Sequence, residues 1–114
     1  MGSNKKKFYD TNVLIDAARN RDSLEEGYTT VLNLVEYPKA ALLDLNLLIP
    51  TVKEYALAVE LSEKLVKEGT PVPAVDIVIA AVSISRGLTL ITKDKHFEKI
   101  KKVAPPELQV EFLE

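Results

Sequence analysis

The chain contains no cysteine, and only four of its 114 residues are glycine. The absence of cysteine excludes a disulfide framework, a thiolate zinc site and a cysteine nucleophile, and it fits an intracellular protein. The glycines are scattered at positions 2, 27, 69 and 87, so no glycine-rich loop is present to bind a nucleotide. These absences exclude three classes of functional site before any motif is considered.

Long apolar stretches are also missing. The longest one, residues 75–84, carries Asp76 and falls short of the roughly 20 residues that span a bilayer. The basic segment at residues 5–7 is not followed by the apolar core of a signal peptide. We therefore expect a cytoplasmic protein without a membrane segment, folded as a single domain over residues 1–114.

The net charge of -2 argues mildly against a nucleic-acid partner, because such proteins usually carry a basic excess that neutralises phosphates. The distribution of the charge weakens this objection, because lysines crowd two short stretches. Most of them, taken singly, are explained as solvated side chains of a surface helix. They are Lys5, Lys6 and Lys7, and Lys93, Lys95, Lys99, Lys101 and Lys102.

The first half of the chain alternates between strand and helix patterns. Residues 7–9 predict a strand that ends at Asp10, and a helix follows, with Thr11 or Asn12 suited to cap it. A polar loop separates this helix from a second strand at residues 28–31. The helical pattern that follows contains Pro38, so this helix either begins near Val35 or bends at the proline.

The second half predicts three helices and two or three strands. Gly69 and Gly87 are placed to end the first two helices. Because strands and helices alternate, we expect a three-layer α/β/α fold with a mostly parallel sheet of four to five strands. The elements are a strand or extended connection at residues 47–50, helices at 52–68 and 74–86, a strand at 88–92, a helix at 96–103 and a strand at 108–112.

Four acidic residues occupy positions where an isolated carboxylate is unexpected. Asp10 and Asp94 follow strand ends, where ligands bind in parallel sheets. Asp76 begins a helix of apolar residues, and Glu36 also has apolar neighbours. Each acid also has a structural explanation, such as an interaction of Asp76 with the helix dipole or a surface position for Glu36. A cluster of carboxylates, however, requires a compensating cation, and oxygen ligands of this kind select Mg²⁺ or Mn²⁺.

The segments around these acids resemble the motifs of PIN domains. The opening motif of that family is similar to DTNVLI at residues 10–15, and the motif around its third acid is similar to VDIVIAA at 75–81. RGLTLITKDKHF at residues 86–97 resembles the segment around the fourth acid. Glu36, in VLNLVEY at 31–37, falls where the second acid belongs. The resemblance extends from residue 8 to about residue 100, in the right order.

The resemblance implies a metal-dependent ribonuclease, most often the VapC-type toxin of a toxin–antitoxin pair. It also implies a homodimer, and a small antitoxin that lays a segment across the pocket. The metal, Mg²⁺ or Mn²⁺, would be held by three aspartates directly, and by the glutamate directly or through water. The residues carried over are Asp10, Asp76, Asp94 and Glu36 as metal ligands and catalytic acids, with Thr11, Asn12, Thr92 and His96 as supporting residues, of which the threonines supply hydroxyls.

His96 departs from the family pattern, because many PIN domains have a further aspartate at this position. As a structural residue it would be a surface or helix-capping histidine. As a functional residue it would contact a phosphate or a base, with a charge that depends on pH. The loss of an acid here leaves the occupancy of a second metal position open.

Two other functions are compatible with the pattern. The chain can be a non-catalytic α/β protein-interaction module in which the acids are caps and surface charges, or a PIN nuclease in RNA processing without an antitoxin. A phosphatase of the haloacid-dehalogenase type needs a second aspartate at position 12, where this chain has Asn12. A response-regulator receiver needs paired acids at the first strand and a lysine after the last, which makes it a remote alternative.

Overall fold

Five short strands form the centre of the protein in the computed structural model, which describes residues 5–114. Helices connect the strands in the alternating pattern that the sequence predicts. In chain order the elements are β1 Lys7–Tyr9, α1 Thr11–Asn20, β2 Tyr28–Thr30, α2 Val31–Glu36, a 3₁₀ helix Pro38–Leu42, β3 Asn46–Leu48, α3 Val52–Lys67, α4 Ala74–Arg86, β4 Thr89–Thr92, α5 His96–Val103 and β5 Gln109–Phe112.

The sheet is parallel throughout and has the order β3-β2-β1-β4-β5. This confirms the predicted fold class and gives five strands within residues 5–114. The central strand β1 pairs with β4 so that Tyr9 lies opposite Ile91. The residues that follow this pair, Asp10 just after β1 and Thr92 at the end of β4, therefore reach the carboxyl edge of the sheet at the same level. The chain leaves β1 toward one side of the sheet and later returns to β4 on the other, and this reversal is where parallel sheets bind ligands.

Alternate residues of the central strands face opposite layers, as the pleat requires. Phe8 and Leu90 belong to the larger core, which they share with α3, α4 and α5. Tyr9 and Ile91 belong to the smaller core, packed against α1 and the 3₁₀ helix. The predicted three layers are therefore present. Complete burial of a side chain such as Phe8 contributes about 1.5–3 kcal/mol to stability.

The α4 helix was predicted to be buried almost all round, and the structure confirms this. A continuous run of fully buried residues, Ile79 to Ser83, passes through its centre. Gly69 and Gly87 end α3 and α4 with φ values of 70° and 64°, in the left-handed region that glycine tolerates best. No helix among residues 5–114 is long and apolar enough to cross a membrane.

Pro38 divides the predicted second helix into two. The helix α2 ends at Glu36, Tyr37 leaves the helical conformation with φ -145° and ψ 84°, and Pro38 begins the 3₁₀ helix. Neither predicted alternative, a start near Val35 or a bend at the proline, describes this arrangement. The reason is that a proline disfavours the α conformation of the residue before it, so the break falls at Tyr37.

Several boundaries differ from the sequence predictions by one or two residues. Asp10, rather than Thr11 or Asn12, caps α1, because its carboxylate accepts a hydrogen bond from the Thr11 amide. The second strand ends at Thr30, since the Thr30 side chain caps α2 in a capping box with Asn33. The domain prediction of residues 1–114 includes residues 1–4, which lie outside the described part of the chain.

An ion pair with a buried carboxylate ties the start of α3 to the end of α4. The Glu54 side chain is 2% exposed, and both of its oxygens accept hydrogen bonds from the Arg86 guanidinium, at 2.8 and 3.0 Å. Glu54 also accepts from the Thr51 amide at 2.8 Å, and Arg86 donates to the Ile49 carbonyl. The hydrogen bonds from Arg86 lower the pKa of Glu54 to about 2. The ionised form of Glu54 is therefore far more favoured over the protonated form in the folded chain than in the unfolded chain.

We expect this pair to make the stability of the protein fall in acid. Because the folded pKa of about 2 lies below the ordinary value of 4.5, the contribution is complete above pH 4.5. It is lost as the pH falls through the folded value, and it is on the order of 3 kcal/mol. Urea unfolding between pH 7 and pH 2 measures it. Glu54→Gln should lower the unfolding free energy at pH 7 and weaken its decline in acid.

Glu63→Gln is the matched control, because Glu63 is exposed on the same helix. It should leave both the stability at pH 7 and the acid decline unchanged. Equal pH profiles for wild type and Glu54→Gln would contradict the role given to this pair.

Candidate metal centre

The Thr92 hydroxyl connects two of the predicted acids at the carboxyl edge of the sheet. It donates a hydrogen bond to Asp10 Oδ2 at 2.7 Å and accepts one from the Asp94 amide at 3.0 Å. The second Asp10 oxygen accepts from the Thr11 amide at 2.9 Å. Asp10 is 4% exposed, so these bonds hold a buried carboxylate in one orientation.

His96 joins Asp76 to Asp94. Its Nδ1 atom lies 3.0 Å from Asp76 Oδ2 and 3.1 Å from Asp94 Oδ1, and its backbone amide donates to the same Asp94 oxygen at 2.9 Å. A ring nitrogen that faces two carboxylate oxygens is best satisfied as a proton donor. The potential ligand atoms of Asp76, Asp94 and His96 all lie within 4.8 Å of one another. Their elements are the first turn of α4, the loop after β4 and the first residue of α5.

Glu36 reaches this centre through Thr11 rather than through the aspartates. One of its oxygens accepts a hydrogen bond from the Thr11 hydroxyl at 2.7 Å. The same hydroxyl accepts from the Asn33 amide group at 2.9 Å. Glu36 is exposed at the end of α2, whereas Asn33 is completely buried. The chain Asn33–Thr11–Glu36 thus gives the exposed glutamate a fixed position.

The structure brings most of the predicted residues together, but in different ways. Asp76 and Asp94 meet directly, Asp10 joins them through Thr92, and Glu36 is connected through Thr11. Asn12 is hydrogen-bonded to the loop after β4 rather than to the acids, because its side chain accepts a hydrogen bond from the Lys93 amide at 3.1 Å.

His96 bridges two acids, a role that was not considered from the sequence, and its contact with a phosphate or a base remains a prediction. Asn33 was missed, although its position three residues after Thr30 is the spacing of a capping box.

The carboxylates of this centre resist ionising together. Burial raises the pKa of Asp10, and the charges of Asp94 and Glu36 add to the effect, while hydrogen bonds from Thr92 and Thr11 oppose it. Burial and the charges of Asp94 and Asp10 raise the pKa of Asp76 to about 6, although His96 works in the opposite direction. A divalent cation would relieve this repulsion. The carboxylate oxygens of this donor set fit such an ion, Mn²⁺ included.

Thr92→Val should destabilise the protein by about 1–3 kcal/mol at pH 7, because the change leaves the buried Asp10 oxygen and the Asp94 amide without this partner. It should also raise the pKa of Asp10 further, since the lost bond favours the charged carboxylate. Urea unfolding and an NMR pH titration measure the two effects. Thr89→Val, at the opposite end of β4, is the control. Wild-type values for Thr92→Val in both measurements would refute the bridging role.

Comparison with known proteins agrees with this geometry. The PIN domain family matches residues 32–103, and no curated protein matches the chain. Among solved structures, VapBC2 from Rickettsia felis bound to a DNA fragment from its promoter is 20% identical, with a TM-score of 0.74 over 93% of this chain and 97% of that one. VapBC-1 from nontypeable Haemophilus influenzae is 22% identical, with a TM-score of 0.73 over 93% and 96%.

A third similar structure is VapBC-5 from Mycobacterium tuberculosis, described as a member of the VapBC family of toxin–antitoxin systems. It is 23% identical, with a TM-score of 0.73 over 95% of this chain and 98% of that one. These likenesses establish the same fold at low identity. Together with a family match over more than half of its residues, they show that the chain belongs to the PIN-domain family.

Proposed function

We propose that this protein is a metal-dependent endoribonuclease and the toxin of a toxin–antitoxin pair. The observation that carries the proposal is the connected acidic centre, in which Asp76 and Asp94 meet at His96 and Thr92 links Asp94 to the buried Asp10. PIN-family membership supports nuclease chemistry for this centre. The VapBC structures that share the fold support the pairing with an antitoxin.

In this proposal the four acids hold Mg²⁺ or Mn²⁺ at the carboxyl edge of the sheet. Asp10, Asp76 and Asp94 are direct ligands, and Glu36 acts directly or through water. A divalent cation, when bound, polarises the phosphoryl oxygens and stabilises the charge that develops on the phosphate. Thr92 keeps the Asp10 and Asp94 carboxylates at a fixed separation by bonding to both segments.

Glu36 is the group best placed to accept a proton from an attacking water. It is exposed to solvent, and the hydrogen bond from Thr11 occupies only one of its two oxygens. A general base must reach the proton that it removes, and in this proposal the free oxygen does so. His96, through its bonds to Asp76 and Asp94, holds a proton between two carboxylates and reduces their repulsion.

The wider proposal describes a single-domain cytoplasmic protein that acts on single-stranded or structured RNA. It functions as a homodimer, and a small antitoxin protein silences it by covering the acidic centre. The family and the fold shared with the VapBC structures support these statements.

Asp76→Asn should abolish RNA cleavage while the fold stays intact. The purified wild type should cut single-stranded RNA only when Mg²⁺ or Mn²⁺ is added, because the carboxylates need a cation to act together. Gel analysis of the products, with circular dichroism of the variant, measures both statements. Asp44→Asn is the control, since Asp44 is exposed and follows the 3₁₀ helix. Full cleavage by Asp76→Asn would end the assignment.

His96→Asp should tighten the binding of Mn²⁺, by roughly tenfold, because a proton-donating ring is replaced by a carboxylate beside two existing ones. His96→Asn, which removes the ring without adding a charge, should lie between wild type and His96→Asp. Isothermal titration calorimetry gives the affinity and the number of ions bound. An unchanged or weaker affinity in His96→Asp would contradict the arrangement of ligands proposed for this site.

A further inference from the structure

A groove with three cationic side chains lies between α1 and the 3₁₀ helix, outside the acidic centre. Its volume is about 370 Å³. The cations are Arg19, Arg21 and Lys39, and Tyr37 and Leu42 contribute apolar surface between them. Asp22 is the only acidic residue of the lining, so the groove carries a net positive charge although the chain as a whole is negative.

The side chains of the three cations are accessible to a ligand. All of them are exposed, and none forms a salt bridge with a carboxylate among residues 5–114. Elsewhere in the protein, Lys7, Arg86 and Lys93 each have an acidic partner. Like charges gathered in a groove without partners repel one another, and an anionic ligand would remove that repulsion.

Arg21 stands in a backbone conformation that does not favour arginine. Its φ is 55°, and it is the only non-glycine residue with positive φ in the described part of the chain. It caps the carboxyl end of α1, where its amide bonds to the Ala17 and Ala18 carbonyls. Glycine is the residue ordinarily found at this position, and Gly87 occupies the equivalent position at the end of α4. An arginine at this position therefore costs stability, which indicates that its side chain has a use.

The groove lies toward the end of α1 that is remote from Asp10, and none of the four acids lines it. Lys39 follows Glu36 by three residues, and Tyr37 lies between them. Arg19 follows Asp10 by nine residues on α1, which corresponds to roughly 14 Å along the helix axis. A polymer with its reacting bond at the acids would reach the cations two or three units further along an extended chain.

We propose that this groove binds the phosphate backbone of single-stranded RNA beside the bond that is cut. The proposal rests on the ribonuclease function and adds the path of the substrate to it. Arg19, Arg21 and Lys39 contact phosphates, and Tyr37 and Leu42 offer apolar surface to a base. An RNA strand with its reacting bond at the acids can span the length of α1 to the cations, which favours the substrate over an acidic protein segment as the occupant.

The test is the affinity for a labelled 12-nucleotide single-stranded RNA, measured by fluorescence anisotropy in EDTA. Binding is then independent of the metal. The groove variant Arg19→Gln/Arg21→Gly/Lys39→Gln should bind at least tenfold more weakly at 100 mM salt. Its slope of log affinity against log salt should be smaller by about 2, because about 0.7 is lost for each phosphate contact to a single strand.

The matched control is Lys5→Gln/Lys6→Gln/Lys53→Gln, which removes the same charge from exposed residues away from the groove. It should change the affinity less than twofold. Arg21→Gly alone should keep or raise the melting temperature while it weakens binding, and Arg21→Lys should restore most of the affinity. A structural role for Arg21 would instead appear as a lower melting temperature in Arg21→Gly.

Equal RNA affinity of the wild type and the groove variant would overturn the proposal, and so would an equal loss in the control. Tighter binding of a poly-glutamate peptide than of RNA with the same charge would overturn it in favour of an acidic protein partner. Cleavage with Mn²⁺ separates this inference from the function. If the wild type cuts RNA but the groove variant binds normally, only the groove proposal fails. If binding falls as expected but the wild type never cuts, only the ribonuclease proposal fails.

Discussion

The parallel pairing of β1 with β4 is the constraint on which the acidic centre depends. It brings Asp10 and Thr92 to the carboxyl edge of the sheet at the same level, so that one hydroxyl can bond to Asp10 and to the Asp94 amide. A shift of one residue would turn every side chain of the strand to the other face, and both cores would lose their apolar residues. The packing of Phe8 and Ile91 into opposite layers therefore fixes the geometry of the site.

The fold places carboxylates where their charges are costly. Burial and mutual repulsion raise the pKa of Asp10 and Asp76, whereas Arg86 lowers the pKa of the equally buried Glu54. The difference is the presence of a full cationic partner. Glu54 has one inside the fold and serves stability, while Asp76 has only the partly exposed His96 and Asp10 forms no ion pair within residues 5–114. A group of carboxylates left in this condition is suited to a ligand that brings positive charge.

Much of the fold was predictable from local patterns in the sequence. The apolar run of α4, the glycines that end α3 and α4, and the β-branched run of β4 each have one plausible conformation, and all three predictions are confirmed. The fold class and the resemblance to PIN domains are confirmed as well. The placement of Asp10 and Asp94 at strand ends indicated the edge of the sheet where they lie, but the roles of these acids remain a proposal.

The side-chain contacts between distant segments could not be predicted from the sequence. They are the bridge of His96 across Asp76 and Asp94 and the Asn33–Thr11–Glu36 chain. Both join residues that come together only after folding. The measurement that tests the central claim most directly is a crystal structure of the protein grown with Mn²⁺ and recorded at a wavelength where manganese scatters anomalously. The account predicts an anomalous peak among Asp10, Asp76 and Asp94, within coordination distance of their carboxylate oxygens. A well-ordered structure with no peak at these residues, at a Mn²⁺ concentration that supports RNA cleavage, would contradict it.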